Sequence, residues 1–137
     1  MPLLEQVLEN NPDKVKIVLK NMPLKFHKFA APAASAALAA GEQGKFWEFH
    51  DELFATPKLS MKAINDIAVK LQLDIAKFNA DMTSPKVQQK LASDLADARD
   101  AGVTGTPTMF INGRQLKERT LPAFQKIIDE EFSKAAK

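Results

Sequence analysis

The stretch GVTGTPTMFING, residues 102–113, gathers three glycines and a threonine-flanked proline around a short apolar run. Few backbones accept that order of residues. Gly102 is placed to end a helix in the left-handed conformation. Thr108-Met109-Phe110-Ile111 is β-prone, and Asn112-Gly113 is a strong signal for a two-residue hairpin turn. Pro107 falls at the strand entrance, where a missing ladder donor is tolerated. On local grounds the Thr106-Pro107 bond is open to either isomer, because X-Pro prefers trans by only about 0.5–1 kcal/mol.

What flanks this stretch is mostly helical. APAASAALAAG starts with Pro32 in its first turn and stops at Gly41, and its alanines let another element approach closely. KFWEFHDELF follows, with Phe46, Phe49, Leu53 and Phe54 as one apolar stripe. Ser60 is the N-cap of the next helix, with Leu59 and Ile64 at hydrophobic-staple spacing; Asp74 repeats the device with Leu73 and Phe78. Ser84-Pro85 opens a further helix whose expected buried face is Val87, Leu91, Leu95 and Ala98. After the hairpin, a weak returning strand falls near Gln115-Leu116. Thr120 then caps a final helix with Leu121, Phe124, Ile127, Ile128 and Phe132 facing inward.

At the other end, Leu3, Leu4, Val7 and Leu8 share one face of a helix over residues 3–10, broken by Asn10-Asn11-Pro12-Asp13. KVKIVLKNM, residues 14–22, then alternates: Val15, Ile17 and Leu19 point one way, and Lys14, Lys16 and Lys20 the other. A strand is expected there. Val18 on the polar side suggests cover on both faces.

Composition removes whole classes of chemistry. There is no cysteine, which excludes disulfides, thiolate catalysis and cysteine-ligated metal within these 137 residues. His27 and His50 are the two histidines, and no HExxH-type spacing exists, so no metal site is expected. A net charge of +2 does not argue for nucleic acid, and the lysines of residues 13–28 lack interleaved stacking aromatics. No apolar run reaches the length of a membrane span, so no membrane insertion is expected. The first residues, MPLLEQVLENNP, carry no signal-peptide pattern.

VKIVLKNMPLKFH, the alanine-rich helix, GKFWEFHDELF and GVTGTPTMFING, in that order over residues 3 to 135, resemble DsbA-type thiol:disulfide oxidoreductases of the thioredoxin superfamily. The resemblance implies an α/β, thioredoxin-like fold, one domain over 1–137 with a helical insertion at about 28–101. It implies that Pro107 is the family's cis-proline and Thr106 the residue before it. Extended peptide or protein substrates would pair with this edge, supported by Gly105 and by His27 near the start of the insertion. No cofactor is implied, and the setting would be periplasmic or otherwise extracytoplasmic.

One departure is decisive. The family's Cys-x-x-Cys motif begins the helix whose end is read at residues 3–10, and it is absent here together with the strands before it. The expectation is an N-terminally truncated member that carries substrate docking without dithiol chemistry. Two strands would lack a shared neighbour, so self-association through open strand edges is also expected. Two other readings stand beside this one: a glutathione-binding isomerase or transferase relative, and a non-catalytic peptide-binding module. His27 is read as a capping or buried hydrogen-bonding histidine in preference to a catalytic one, and His50 as a structural or surface residue. Trp47 and Phe49 are read as core or groove lining.

Overall fold

Ser60, Asp74 and Ser84 each start a helix in the computed structural model of the chain, which describes residues 2–24 and 27–135. The elements run α1 (Pro2–Asn10), α2 (Ala30–Gly41), α3 (Phe46–Ala55), α4 (Met61–Lys70), α5 (Ile75–Met82), α6 (Pro85–Asp100), β1 (Phe110–Ile111), β2 (Arg114–Gln115) and α7 (Leu121–Ala135). The caps act as their chemistry dictates. Ser60 Oγ accepts from the Ala63 N–H at 3.0 Å, Asp74 Oδ1 from Lys77 at 3.1 Å, Ser84 Oγ from Val87 at 3.2 Å and Thr120 Oγ1 from Ala123 at 3.3 Å.

The chain divides into two compact units, Lys20–Gly102 and the pair of segments Met1–Leu19 and Val103–Lys137. In the first, α2 is the hub against which α3, α4, α5 and α6 all pack. A helix that is apolar on nearly every side has to be enclosed, and its small side chains allow neighbours to come close. Ala33, Ala36, Ala37, Ala39 and Ala40 are all buried, together with Phe49, Ile64, Ile67, Ala68, Leu73 and Phe78. The Phe49 and Phe78 rings meet at 5.6 Å, tying α3 to α5.

Two expected faces in this unit are corrected. Phe54 is 68% exposed, because it lies about 100° around the helix from Leu53 and away from the Phe46/Phe49/Leu53 stripe. On α6 the buried positions are Val87, Leu91 and Asp94, while Leu95 is exposed. Asp94 lies about 20° around the helix from Val87, against about 80° for Leu95, and its carboxylate is satisfied by hydrogen bonds that make its burial tolerable.

In the second unit α1 packs on α7. Val7, Leu116, Phe124 and Ile128 form the buried cluster, with Leu3, Leu4, Val15, Met109, Ile111, Leu121 and Ile127 packed against it. Phe132, expected inside, is exposed, and the Lys14 ammonium sits 4.6 Å from its ring centre. The Asn112-Gly113 turn has φ of 49° and 82°, the two positive angles of a type I′ hairpin. It pairs Ile111 with Arg114 and Phe110 with Gln115.

The strand expected over 14–20 has no ladder: among the described residues it makes no sheet pairing. Its exposure still alternates residue by residue from Val15 to Lys20, the two-residue period of an extended chain. Side-chain pattern specifies a strand's faces, whereas a ladder also requires an adjacent backbone, and none pairs with it among the described residues.

Candidate functional site

Gly102 ends α6 with φ of 74°, its N–H bonded to the Arg99 carbonyl at 3.1 Å. From there the chain enters an uncharged run, Ala101 to Gly113, that leads into β1. The Thr106-Pro107 bond is cis. Both residues are exposed, while Gly105 is half-buried behind them. Thr108 Oγ1 donates to the Gly105 carbonyl at 2.6 Å, closing the turn across the proline. The loop is thereby braced by the residue that follows its proline.

Beyond the turn, the Leu116 N–H reaches the Met109 carbonyl at 2.8 Å, continuing the hairpin ladder. In an antiparallel pair, hydrogen-bonded positions alternate with non-bonded ones. Met109 and Ile111 occupy the bonded positions, so the N–H and C=O groups of Thr108 and Phe110 point away from β2. That side of the strand has no backbone partner among the described residues. Phe110 adds a 40% exposed aromatic ring beside this open edge. Chemically the site offers a backbone edge, a threonine and an apolar ring, with no nucleophile.

Gly105, Thr106 and Pro107 are therefore contiguous on one turn. His27 belongs to the other compact unit and is exposed, not buried as one reading of it required. Its N–H bonds to the Leu24 carbonyl and its own carbonyl accepts from Ala30, so its backbone leads the chain into α2. With Lys28, Phe29, Ala30 and Leu59 it lines a shallow recess of about 420 Å³. His50 is buried: Nδ1 lies 3.2 Å from Asp51 Oδ1, and Nε2 has no hydrogen-bond partner among the described residues. Phe49 is core, whereas Trp47 remains 43% exposed.

Sequence reasoning missed Asp94, although its position between Leu91 and Ala98 on the buried face of α6 was the available signal. Burial pushes its carboxyl upward, but the Asn21 N–H, the Lys90 ammonium and the Asn21 side-chain amide outweigh that and hold it below the usual carboxylate range. Near the hairpin, Arg114 donates to Glu130 at 2.8 Å and Glu131 at 3.0 Å. Those bonds raise the guanidinium's pKa. This exposed cluster fixes β2 to α7 and leaves the open side of β1 untouched. Among the described residues no three His, Cys, Asp or Glu side chains converge as a metal site would require, and no helix is long and apolar enough to cross a membrane.

A sequence profile described as thioredoxin matches residues 2–130. The chain belongs to the thioredoxin family. Within that family it is DsbA-like, as its structural neighbours indicate. A thioredoxin-like oxidoreductase from Silicibacter pomeroyi DSS-3 superposes with a TM-score of 0.88 at 26% identity, covering 97% of this chain and 77% of that one. The thiol-disulfide exchange protein alpha-DsbA2 from Wolbachia pipientis gives 0.80 at 26% identity, covering 94% and 71%.

Curated relatives of this thioredoxin-family chain have a different character. It is 38% identical over 103 residues to a Na(+)/H(+) antiporter, NhaA 1, of Salinispora arenicola, covering 74% of this chain and 16% of that protein. A further antiporter, NhaA of Herminiimonas arsenicoxydans, is 36% identical over 106 residues, covering 77% and 17%. The chain thus spans about a sixth of the length of these relatives.

Proposed function

We propose that this chain is the substrate-docking part of a DsbA-like thiol:disulfide oxidoreductase and performs no dithiol exchange of its own. The observation that carries this reading is the turn in which half-buried Gly105 precedes exposed Thr106 and Pro107, braced by Thr108 and opening onto a side of β1 that is unpaired among the described residues, in a thioredoxin-family chain without cysteine. A strand edge recognises extended peptides by main-chain hydrogen bonds, with side-chain preference set by neighbouring apolar surface. Here the donors and acceptors are those of Thr108 and Phe110, and the Phe110 ring supplies the apolar neighbour.

Thiol exchange needs a thiolate to attack a disulfide sulfur, and this sequence contains none. The chain's contribution is to hold an extended substrate segment in register while sulfur chemistry is carried elsewhere in the functional assembly. A location outside the cytoplasm fits this role, because that is where protein disulfides form and persist.

The test is a titration of the isotope-labelled chain with extended apolar peptides, followed by amide chemical shifts. Saturable shifts at Thr108 and Phe110, weakened by Pro107→Ala, are the expected result. Absence of saturable binding, or binding indifferent to Pro107→Ala and to Thr106→Arg, would overturn the reading.

A further inference from the structure

We infer that the outward face of α3 is a docking surface for a basic segment of another protein, whose arginine side chain seats beside Trp47 and Phe54 against the Asp51 carboxylate. This face belongs to the unit Lys20–Gly102, and its occupancy does not require docking at Thr106-Pro107. Trp47, Asp51 and Phe54 follow one another at spacings of four and three residues. They therefore fall within about 60° of the circumference of α3, each about one turn from the next. All three are exposed. A single exposed ring needs no explanation, but these two are joined through a third: the His50 ring lies 5.3 Å from Trp47 and 4.6 Å from Phe54. Phe46 meets Trp47 edge-on at 5.2 Å as well. Because His50 is itself buried, both exposed rings rest on a fixed support. Side chains already held in place lose little freedom when a partner arrives.

Charge decides what that partner is. The charged residues of α3 are Glu48, Asp51 and Glu52, and the helix contains no lysine or arginine. Glu52 is compensated, with both of its oxygens 2.8 Å from the Lys70 ammonium. No lysine or arginine reaches Asp51 or Glu48 among the described residues; Asp51 touches His50 through one oxygen, at 3.2 Å. Exposed rings beside an uncompensated carboxylate favour a group that is both cationic and planar. A guanidinium stacks its face on an indole or phenyl ring while its in-plane N–H groups reach a carboxylate. An ammonium supplies the charge without that double match. An acidic or wholly apolar segment would leave Asp51 and Glu48 covered and unpaired, which is costly. The complementary occupant is therefore an arginine flanked by apolar residues, whose side chains cover the two rings.

Trp47 is the only tryptophan in the chain, so its fluorescence reports on this face. The experiment titrates the full chain with the acetylated and amidated peptide Ala-Leu-Arg-Leu-Ala. A second titration uses the same peptide with citrulline for arginine, which keeps the shape and removes the charge. The expected result is a saturable change in Trp47 emission with the arginine peptide. Binding should weaken about tenfold or more with citrulline, with Asp51→Asn and with Phe54→Ala, and should fall as salt is added. Glu9→Gln, at an exposed acid of α1, and Pro107→Ala should leave the affinity unchanged. Absence of a saturable change, equal binding of the two peptides, or unchanged binding by Asp51→Asn overturns the proposal. So does an emission change that Pro107→Ala abolishes, since the peptide then sits at the Thr106-Pro107 turn. Light scattering without peptide supplies one more outcome: self-association that Phe54→Ala abolishes means that a second copy covers the face, which also overturns it. If Phe54→Ala does not fold, Asp51→Asn at its exposed position decides.

Discussion

Asp94 Oδ2 receives both the backbone N–H and the side-chain amide of Asn21, each at 2.9 Å. Its other oxygen holds Lys90, and the carboxylate has no exposed surface. Asn21 is the point at which the extended segment enters the helical unit, so this carboxylate fixes the unit's first residues to α6.

A pH dependence follows. Burial alone would raise the Asp94 pKa, but its three donors lower it below the ordinary value of 3.8. A carboxyl depressed in the folded state contributes stability above its unfolded pKa and loses that contribution as pH falls through its folded pKa. Denaturant melts of the chain should therefore weaken as pH drops below about 4, and Asp94→Asn should flatten that part of the curve. At neutral pH, Asp94→Ala leaves the buried Asn21 groups without an acceptor and should cost about 2 kcal/mol. A neutral-pH loss within error of zero would show that the contact is dispensable.

A second polar pair fastens the other unit. Asn11 is 1% exposed; its Nδ2 donates to the Val7 carbonyl at 2.8 Å and to Gln125 Oε1 at 2.9 Å. Gln125 Nε2 returns a bond to Asn11 Oδ1 at 2.9 Å. Because the two amides satisfy each other, removing one strands the other. Asn11→Ala is expected to cost about 2 kcal/mol, and a double-mutant cycle with Gln125→Ala should give a coupling of about 1 kcal/mol. Additive losses would mean that the reciprocal pair contributes nothing beyond its separate members.

These two pairs also mark where the sequence was least legible. The helix starts at Ser60, Asp74, Ser84 and Thr120 could be read directly, since a cap is a local bond between residues three apart. The Asn112-Gly113 hairpin was legible for the same reason. Asn11 read as a turn residue and Asp94 drew no reading, because their partners lie 114 and 73 residues away in the chain. The loop at Gly105-Thr106-Pro107 was recognisable from its residues, but the Thr108 hydroxyl that closes it was not. The segment 14–20 shows the limit most clearly: periodicity specified its two faces and could not specify a neighbour.

The end of α4 carries a conformational cost that a single substitution should remove. The Leu73 N–H reaches the Ala68 carbonyl at 3.1 Å and the Gln72 N–H the Val69 carbonyl at 3.0 Å, the paired bonds of a Schellman motif. The position that must be left-handed is Gln72, at φ of 58°. Helices that end this way usually place glycine there, because a Cβ in this region costs about 1–2 kcal/mol. Glycine's greater unfolded freedom offsets part of that gain. Gln72→Gly is expected to stabilise the helical unit by about 0.5–1 kcal/mol, read as a higher denaturation midpoint at unchanged slope. A lower midpoint would mean that the glutamine side chain makes a contact that outweighs its backbone strain.

His50 should be replaceable with a gain. Its ring lies 4.6 Å from Phe54, 5.3 Å from Trp47 and 6.1 Å from Phe46, an aromatic setting with little to offer a polar nitrogen. Nδ1 has Asp51, whose side chain is 65% exposed and would be solvated without it. Nε2 is buried with no partner among the described residues, and an unsatisfied buried polar atom costs about 1–3 kcal/mol. His50→Phe keeps the ring contacts and removes that atom, so thermal unfolding should move upward, by about 1 kcal/mol of added stability. His50→Ala should instead lower stability, because it empties the space the imidazole fills. If His50→Phe proves as damaging as His50→Ala, Nε2 must be bound to an ordered water, and the histidine is then held for its hydrogen bonds and not for its shape.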